Sequence, residues 1–315
     1  MTQDKQLSNW DGKCLTVGLI MIALTASVSH LWYVNQKSDV MRMVYQVGLN
    51  RSSLILIMVW MGLAVFLGLL WGVYQRAPWA LSKETWVVII SSYSCFTLLW
   101  LYGRSASFYT WFGYRPEPGG LNGLLPYFFF VATSVVARCG LPFLVACGLL
   151  KRPMREYGYQ TRNALNGAWI YAGLTFVIVV LVIFVAAEQP AFIKKYPWCK
   201  RAISGGQISG WVFLVYALCA LVFFFSGESF WRGYLLFGTS RELGPVALFL
   251  MMNIYVFAHF GKPLAETLGA IAAGLVLGLL ALKHRTFMLG VVCHWTVAMV
   301  MDLSALLKRG ITVTW

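Results

Sequence analysis

Apolar runs of about 17–25 residues recur along the chain, separated by short stretches that hold most of its charge. At about 1.5 Å per residue such a run matches a hydrocarbon core of about 30 Å, so each predicts a membrane-spanning helix. A β-barrel would instead give shorter segments alternating apolar and polar. Nine candidate spans follow, at 14–34, 53–74, 86–102, 124–150, 167–187, 208–237, 245–260, 264–282 and 287–307. The predicted fold class is all-α, a polytopic transmembrane helix bundle of about 8–9 spans. The first run lacks a small-residue cleavage signal and reads as a retained helix.

The clearest interruption is WFGYRPEPGGLNG at 111–123, with two prolines and four glycines. It divides residues 1–120, helices of unassigned role, from a core at 121–315. The run 124–150 contains Pro126, Arg138, Gly140 and Pro142, which predicts either one kinked helix or two pieces. Arg138 is expected to face the bundle interior.

Composition agrees with the pattern. The 315 residues are 59% hydrophobic and 11% charged, too few charges to cover a soluble surface of this size. Mean hydropathy is +0.70. The net charge of +14 is spread through clusters between spans: Lys37/Arg42/Arg51, Lys151/Arg152/Arg155/Arg162 and Lys194/Lys195/Lys200/Arg201. These predict the lipid bilayer and its anionic headgroups as partner rather than nucleic acid, and they do not decide orientation. The seven cysteines are scattered without a CxxC, so neither disulfides nor a thiolate metal site are expected.

Five residues inside the last spans change the picture: Glu228, Arg232, His259, His294 and Asp302. One Arg or Asp at a helix centre costs about 2.5–3.5 kcal/mol on insertion scales, so several together call for a use. Glu228 and Arg232 are spaced i, i+4 and share a helix face; alone they suit a fixed ion pair. A lone His in an apolar helix suits an interhelical hydrogen bond. Two His with a Glu and an Arg on neighbouring helices can instead surround a polar cavity. Glu and neutral His can take a proton from water, and a second His can donate to an oxyanion. Hydrolysis within the membrane is the chemistry this set suggests. A His₂Glu zinc site and a proton-coupled transporter remain open alternatives, the latter without evident inverted repeats.

Three ordered motifs here resemble the CAAX protease and bacteriocin-processing family, also called the Abi family, of glutamate-type intramembrane endopeptidases. The first is Gly227-Glu228-Ser229-Phe230-Trp231-Arg232-Gly233, where the family has Glu-Glu, three residues and Arg. The second is Tyr255 four residues before His259, continued by FGKPLAETLG as in bacterial members; the third begins at His294. Two positions depart from the pattern: Gly227 replaces the first Glu, and Ala298 stands where the family has Asn. Glu228 lies about 100° around a helix from position 227, so it replaces that carboxylate only through rotation or local distortion.

The resemblance implies an intramembrane endopeptidase that hydrolyses a membrane-associated or lipid-modified peptide or protein. His259 would help Glu228 activate water, Arg232 would orient the glutamate, and His294 would line the oxyanion site. Tyr255, Glu266 and Asp302 are accessory candidates; Glu266, three residues after Pro263, also suits a helix cap. Asp302 falls about 12 Å beyond His294 along a helix and cannot simply stand in for the Asn. No cofactor is implied, although zinc is not excluded, and the expected location is the cell membrane of a bacterium. The alternative is a catalytically impaired member that binds peptides or partner proteins. Gly269, Gly274 and Gly278 are read as helix-packing positions, and Phe223, Phe224, Phe225 and Trp231 as lipid-facing or core-filling.

Overall fold

A computed structural model describes residues 10–46, 48–160, 165 and 167–315; Arg162 of the basic cluster lies outside the described residues. The principal helices are α1 (Gly12–Val34), α2 (Arg51–Tyr74), α3 (Lys83–Leu98), α4 (Gly120–Val135), α5 (Ala168–Phe184), α6 (Gly210–Glu228), α7 (Ala247–Phe257), α8 (Leu264–His284) and α9 (Met288–Lys308). Two short strands, β1 (Gln207–Ser209) and β2 (Thr312–Thr314), pair in parallel.

Among the described residues, eight helical runs are long and apolar enough to cross a membrane. The expected spans 208–237 and 245–260 join into one run, Gly210–Phe257, of 48 residues. A straight helix of that length would extend about 72 Å, more than twice a hydrocarbon core. The run bends at Gly244, whose φ of 59° suits glycine, and Pro245 follows in a 3-10 turn. The expected 124–150 run is likewise one run, Gly120–Leu149, interrupted by π-helix at Val136–Gly140 and Leu144–Leu149. Helix stops at Phe112 and restarts at Gly120, as the Pro/Gly interruption requires.

The chain forms two compact units that interleave along the sequence. The first comprises 1–97, 145–158 and 231–285. Its centre is α7, whose eleven residues are all buried, as expected for a helix apolar on every face. Helices α1, α2 and α8 pack around it. The one strongly polar residue of α7, Asn253, donates to Thr25 Oγ1 at 3.1 Å. Gly62 leaves it room, since a Cβ there would lie 2.2 Å from Asn253 Oδ1. Entry into α1 and α2 is fixed locally: Asp11 accepts from Cys14 N and Asn50 from Ser53 N, caps worth about 1 kcal/mol each.

The second unit comprises 98–144, 159–230 and 286–315. Helix α6 packs on α4 and α9, and α9 on α5. Its apolar core joins Leu124, Tyr127 and Val131 to Tyr216, Ala220, Phe223 and Phe224, and reaches Met299 of α9. Arg138 is buried here as expected, its guanidinium 4.9 Å from the Phe223 ring centroid.

Candidate active site

Glu228 closes α6, and a π-helical stretch, Ser229–Phe237, begins at the next residue. Residues 226–240 are all buried, in keeping with the apolar sequence on either side. A π stretch bonds i to i+5 and so changes the angular course of the chain; such stretches occur often at functional sites. Positions 227 and 228 both lie in the regular α-helix, and the change of course begins at Ser229.

In the second unit, Glu228 Oε1 lies 3.0 Å from His294 Nδ1. The glutamate side chain is 1% exposed and the histidine 22%. A carboxylate only accepts, so Nδ1 carries the proton and donates, which leaves Nε2 as the ring's acceptor when the imidazole is neutral. The imidazole is held from the side by Phe224, with ring centroids 4.6 Å apart. Gly290, one turn before His294, makes the carboxylate's space: a Cβ there would stand 2.9 Å from Glu228 Oε2. Phe223, Phe224 and Trp231 are buried and fill core rather than facing lipid.

Ser229, beside the glutamate, hydrogen-bonds Tyr159 and lies 3.5 Å from Cys139 Sγ. Burial pushes the Tyr159 hydroxyl up to about 12, so it stays protonated at neutral pH. This Tyr159–Ser229–Cys139 cluster and Gly290 escaped the sequence reading. Gly290 had a usable signal, a residue without a side chain at i−4 from a candidate His; Tyr159 had none.

In the first unit, Arg232, Tyr255 and His259 form a stack. Arg232 Cζ lies 4.2 Å from the Tyr255 ring centroid, and the Tyr255 and His259 rings meet edge to face at 4.6 Å. Arg232 Nη2 also donates to the Ala273 carbonyl at 3.2 Å. His259 Nδ1 lies 2.9 Å from the Tyr255 carbonyl oxygen. A carbonyl cannot donate, so Nδ1 bears hydrogen and Nε2 is the acceptor of the neutral ring. The aromatic residue four before this histidine thus sets its tautomer through its carbonyl and its tilt through its ring.

Asp302 stands apart from His294 in its contacts: it accepts from Trp198 N at 2.9 Å and from the Tyr216 hydroxyl. Glu266 sits in the first turn of α8 and pairs with Lys262 at 2.7 Å. Ala298 packs with Trp295 against the apolar core of the second unit. Among the described residues, no group of three or more His, Cys, Asp and Glu side chains is placed to hold a metal ion.

A helical chain with eight such apolar runs and charged groups buried inside them is an integral, multi-pass membrane protein. Residues 208–300 match the family described as type II CAAX prenyl endopeptidase, Rce1-like. That interval contains Glu228, Arg232, Tyr255, His259, Glu266 and His294, so the match falls on the motifs that resemble the CAAX protease family and supports a CAAX-protease-like intramembrane endopeptidase in general. No curated protein and no solved structure matches the chain.

Proposed function

We propose that the protein is a glutamate-dependent intramembrane endopeptidase acting on a membrane-associated or lipid-modified peptide. The observation that supports it is the buried Glu228 carboxylate hydrogen-bonded to His294 Nδ1. Glu228 takes a proton from water as the water oxygen bonds to the scissile carbonyl carbon. The oxyanion is stabilised by Nε2–H of His294 in its imidazolium form, with Nδ1–H still on Glu228, the work the resemblance gives His294. When the C–N bond breaks, Glu228 returns the proton to the leaving amine, so the carboxylate is regenerated. His259, with Nδ1–H engaged by Tyr255, offers Nε2 as the acceptor that the resemblance assigns to water activation. Orienting the glutamate is the work the resemblance gives Arg232. The reaction uses no metal or other cofactor, and the protein resides in a bacterial cell membrane, with lipid and a peptide substrate as its partners and no nucleic acid. Asp302 serves structure rather than chemistry.

The test is cleavage of a farnesylated CAAX peptide and its unprenylated counterpart by full-length protein in proteoliposomes. Glu228→Gln is expected to lower kcat by about 10²-fold or more, the usual reach of general acid–base catalysis. Cleavage by Glu228→Gln at the wild-type rate overturns the assignment. Chelators are expected to leave the rate unchanged; loss of activity restored by zinc overturns the metal-free part.

A second reading has a specific observation behind it. Ala298 is committed to apolar packing and offers no donor to an oxyanion, and Gly227 has no carboxylate. In a catalytically impaired member that binds peptides or partner proteins, the wild type would show no turnover and Gly227→Glu would introduce it. Measurable wild-type turnover removes this reading.

A further inference from the structure

Helix α1 carries a tyrosine near its C-terminal end, Tyr33, whose hydroxyl is used by residues more than two hundred positions away. Those residues form the turn after α7, which carries His259. Past Phe257 the chain makes single-turn bonds, His259 N to the Val256 carbonyl at 2.9 Å and Lys262 N to the His259 carbonyl at 3.1 Å. Gly261 then takes φ 96°, open to glycine. A turn of this kind has few bonds of its own to hold the backbone that bears the imidazole.

Tyr33 supplies the missing ones. Its hydroxyl accepts from Gly261 N at 3.2 Å, donates to the Lys262 carbonyl and lies 2.9 Å from Thr267 Oγ1. Thr267, fully buried in α8, donates from that same oxygen to the His259 carbonyl at 3.1 Å. Phe260, next to His259, is packed by Trp32 and Tyr33, at ring-centroid distances of 5.6 and 6.2 Å. The Lys262–Glu266 ion pair closes the far side of the turn. Each hydroxyl has one proton, and these go to the Lys262 and His259 carbonyls, so Tyr33 and Thr267 hold the turn side by side. Tyr33 binds Gly261 N and the Lys262 carbonyl, Thr267 binds the His259 carbonyl, and the imidazole's own bond to Tyr255 depends on where that backbone sits.

We propose that Tyr33 is a positioning residue for His259. It holds the 259–262 turn so that Nδ1–H meets the Tyr255 carbonyl and Nε2 is kept as the acceptor. The catalytic consequence rests on the endopeptidase reading; the effect on the imidazole does not. This gives α1, otherwise without an assigned role, a part in setting the tautomer of a candidate catalytic histidine.

The experiment is nitrogen-15 NMR of histidine-labelled full-length protein in detergent micelles, with cleavage kinetics alongside. The chain has four histidines, His30, His259, His284 and His294, and loss of a signal in His259→Gln assigns the one of interest. Wild type is expected to show His259 as the Nδ1–H tautomer. In Tyr33→Phe and in Thr267→Val that signal is expected to become a mixture of tautomers, while Thr267→Ser, which keeps the hydroxyl, retains it. Tyr33→Phe is expected to lower kcat by about tenfold with KM little changed and to displace the pH profile, as a misplaced group does. An unperturbed His284 signal shows that the variant is folded; if Tyr33→Phe disturbs it, Thr267→Val decides. Wild-type His259 signals in the folded variants overturn the proposal. If the wild type cleaves nothing, the endopeptidase reading falls while the His259 signals still decide this one.

Discussion

Gly290 and Glu228 share one space: a Cβ on the glycine would stand 2.9 Å from the carboxylate oxygen Oε2. Carbon and oxygen do not approach that closely without a shift. Glu228 is the flexible partner, so the carboxylate is the group that moves. It is 1% exposed and tied to His294, and it cannot move without changing that bond. Gly290→Ala is therefore expected to lower kcat by about tenfold or more, because misplacement on the ångström scale at a reacting group is costly. The unfolding temperature should change little. Peptide cleavage and thermal unfolding measured on the same preparation check it; unchanged kcat would show that the carboxylate's position is not critical.

Asp302 gives the opposite expectation. It is 2% exposed and accepts from Trp198 N and the Tyr216 hydroxyl, joining α9 to α6 and to the segment before β1. Asp302→Ala leaves both donors without that acceptor in a buried place, a loss of about 2–5 kcal/mol. Asp302→Asn keeps one acceptor oxygen and should lose less. Thermal unfolding in detergent should rank wild type, Asn, Ala in falling order, with activity per folded molecule unchanged. A fall in kcat without a fall in stability would return Asp302 to the chemistry.

The contrast between these residues shows what was legible. Spans, fold class and the three motifs are statements about local pattern, and local pattern carries through: charged residues in apolar runs are visible without coordinates. The Glu228–His294 bond joins positions 66 apart, and the Tyr33–Lys262 bond positions 229 apart. Both depend on how helices pack, which hydropathy does not encode. The π stretch Ser229–Phe237 has no compositional signal either. Two expected spans became one run for a related reason: Gly244-Pro245 turns the chain without leaving helical bonding long enough to read as a loop.

The three glycines of α8 separate in the same way. They look alike in TLGAIAAGLVLGLL, yet only two are at close approaches. A Cβ on Gly278 would lie 2.5 Å from Leu248 Cδ1 and 3.0 Å from Met251 Cε, and one on Gly274 3.2 Å from Tyr255 Cδ1; at Gly269 nothing lies within 4 Å. Gly278→Ala is expected to destabilise by about 1–3 kcal/mol through overpacking of α8 on α7. Gly269→Ala should be neutral or stabilising by up to about 1 kcal/mol, since alanine is the better helix former. Thermal unfolding of the two variants checks the sign; destabilisation of similar size in both would mean that close packing is not what separates them.

Three arginines and three glutamates pair where α2 ends, α3 begins and the 150–157 segment passes, and only some of these pairs should matter. Arg152 meets Glu84 at 3.0 Å with both side chains over 40% exposed. Hydrogen bonds and charge from Glu84 hold the Arg152 guanidinium above its ordinary value, so it stays charged at any workable pH, and salt rather than pH is the useful variable. Exposed pairs of this kind contribute about 0–1 kcal/mol and weaken as salt rises. Glu242 is different: its side chain is 18% exposed, it pairs with Arg76, and it accepts from both Ser82 N and Ser82 Oγ. Glu242→Ala removes the acceptor for all three groups and is expected to cost about 1–3 kcal/mol, largely independent of salt. Arg152→Ala should cost under about 1 kcal/mol, and that small effect should vanish at high salt. Unfolding of the two variants at low and high ionic strength checks the pair of expectations; a Glu242→Ala loss that disappears with salt would place that carboxylate among the screened surface pairs.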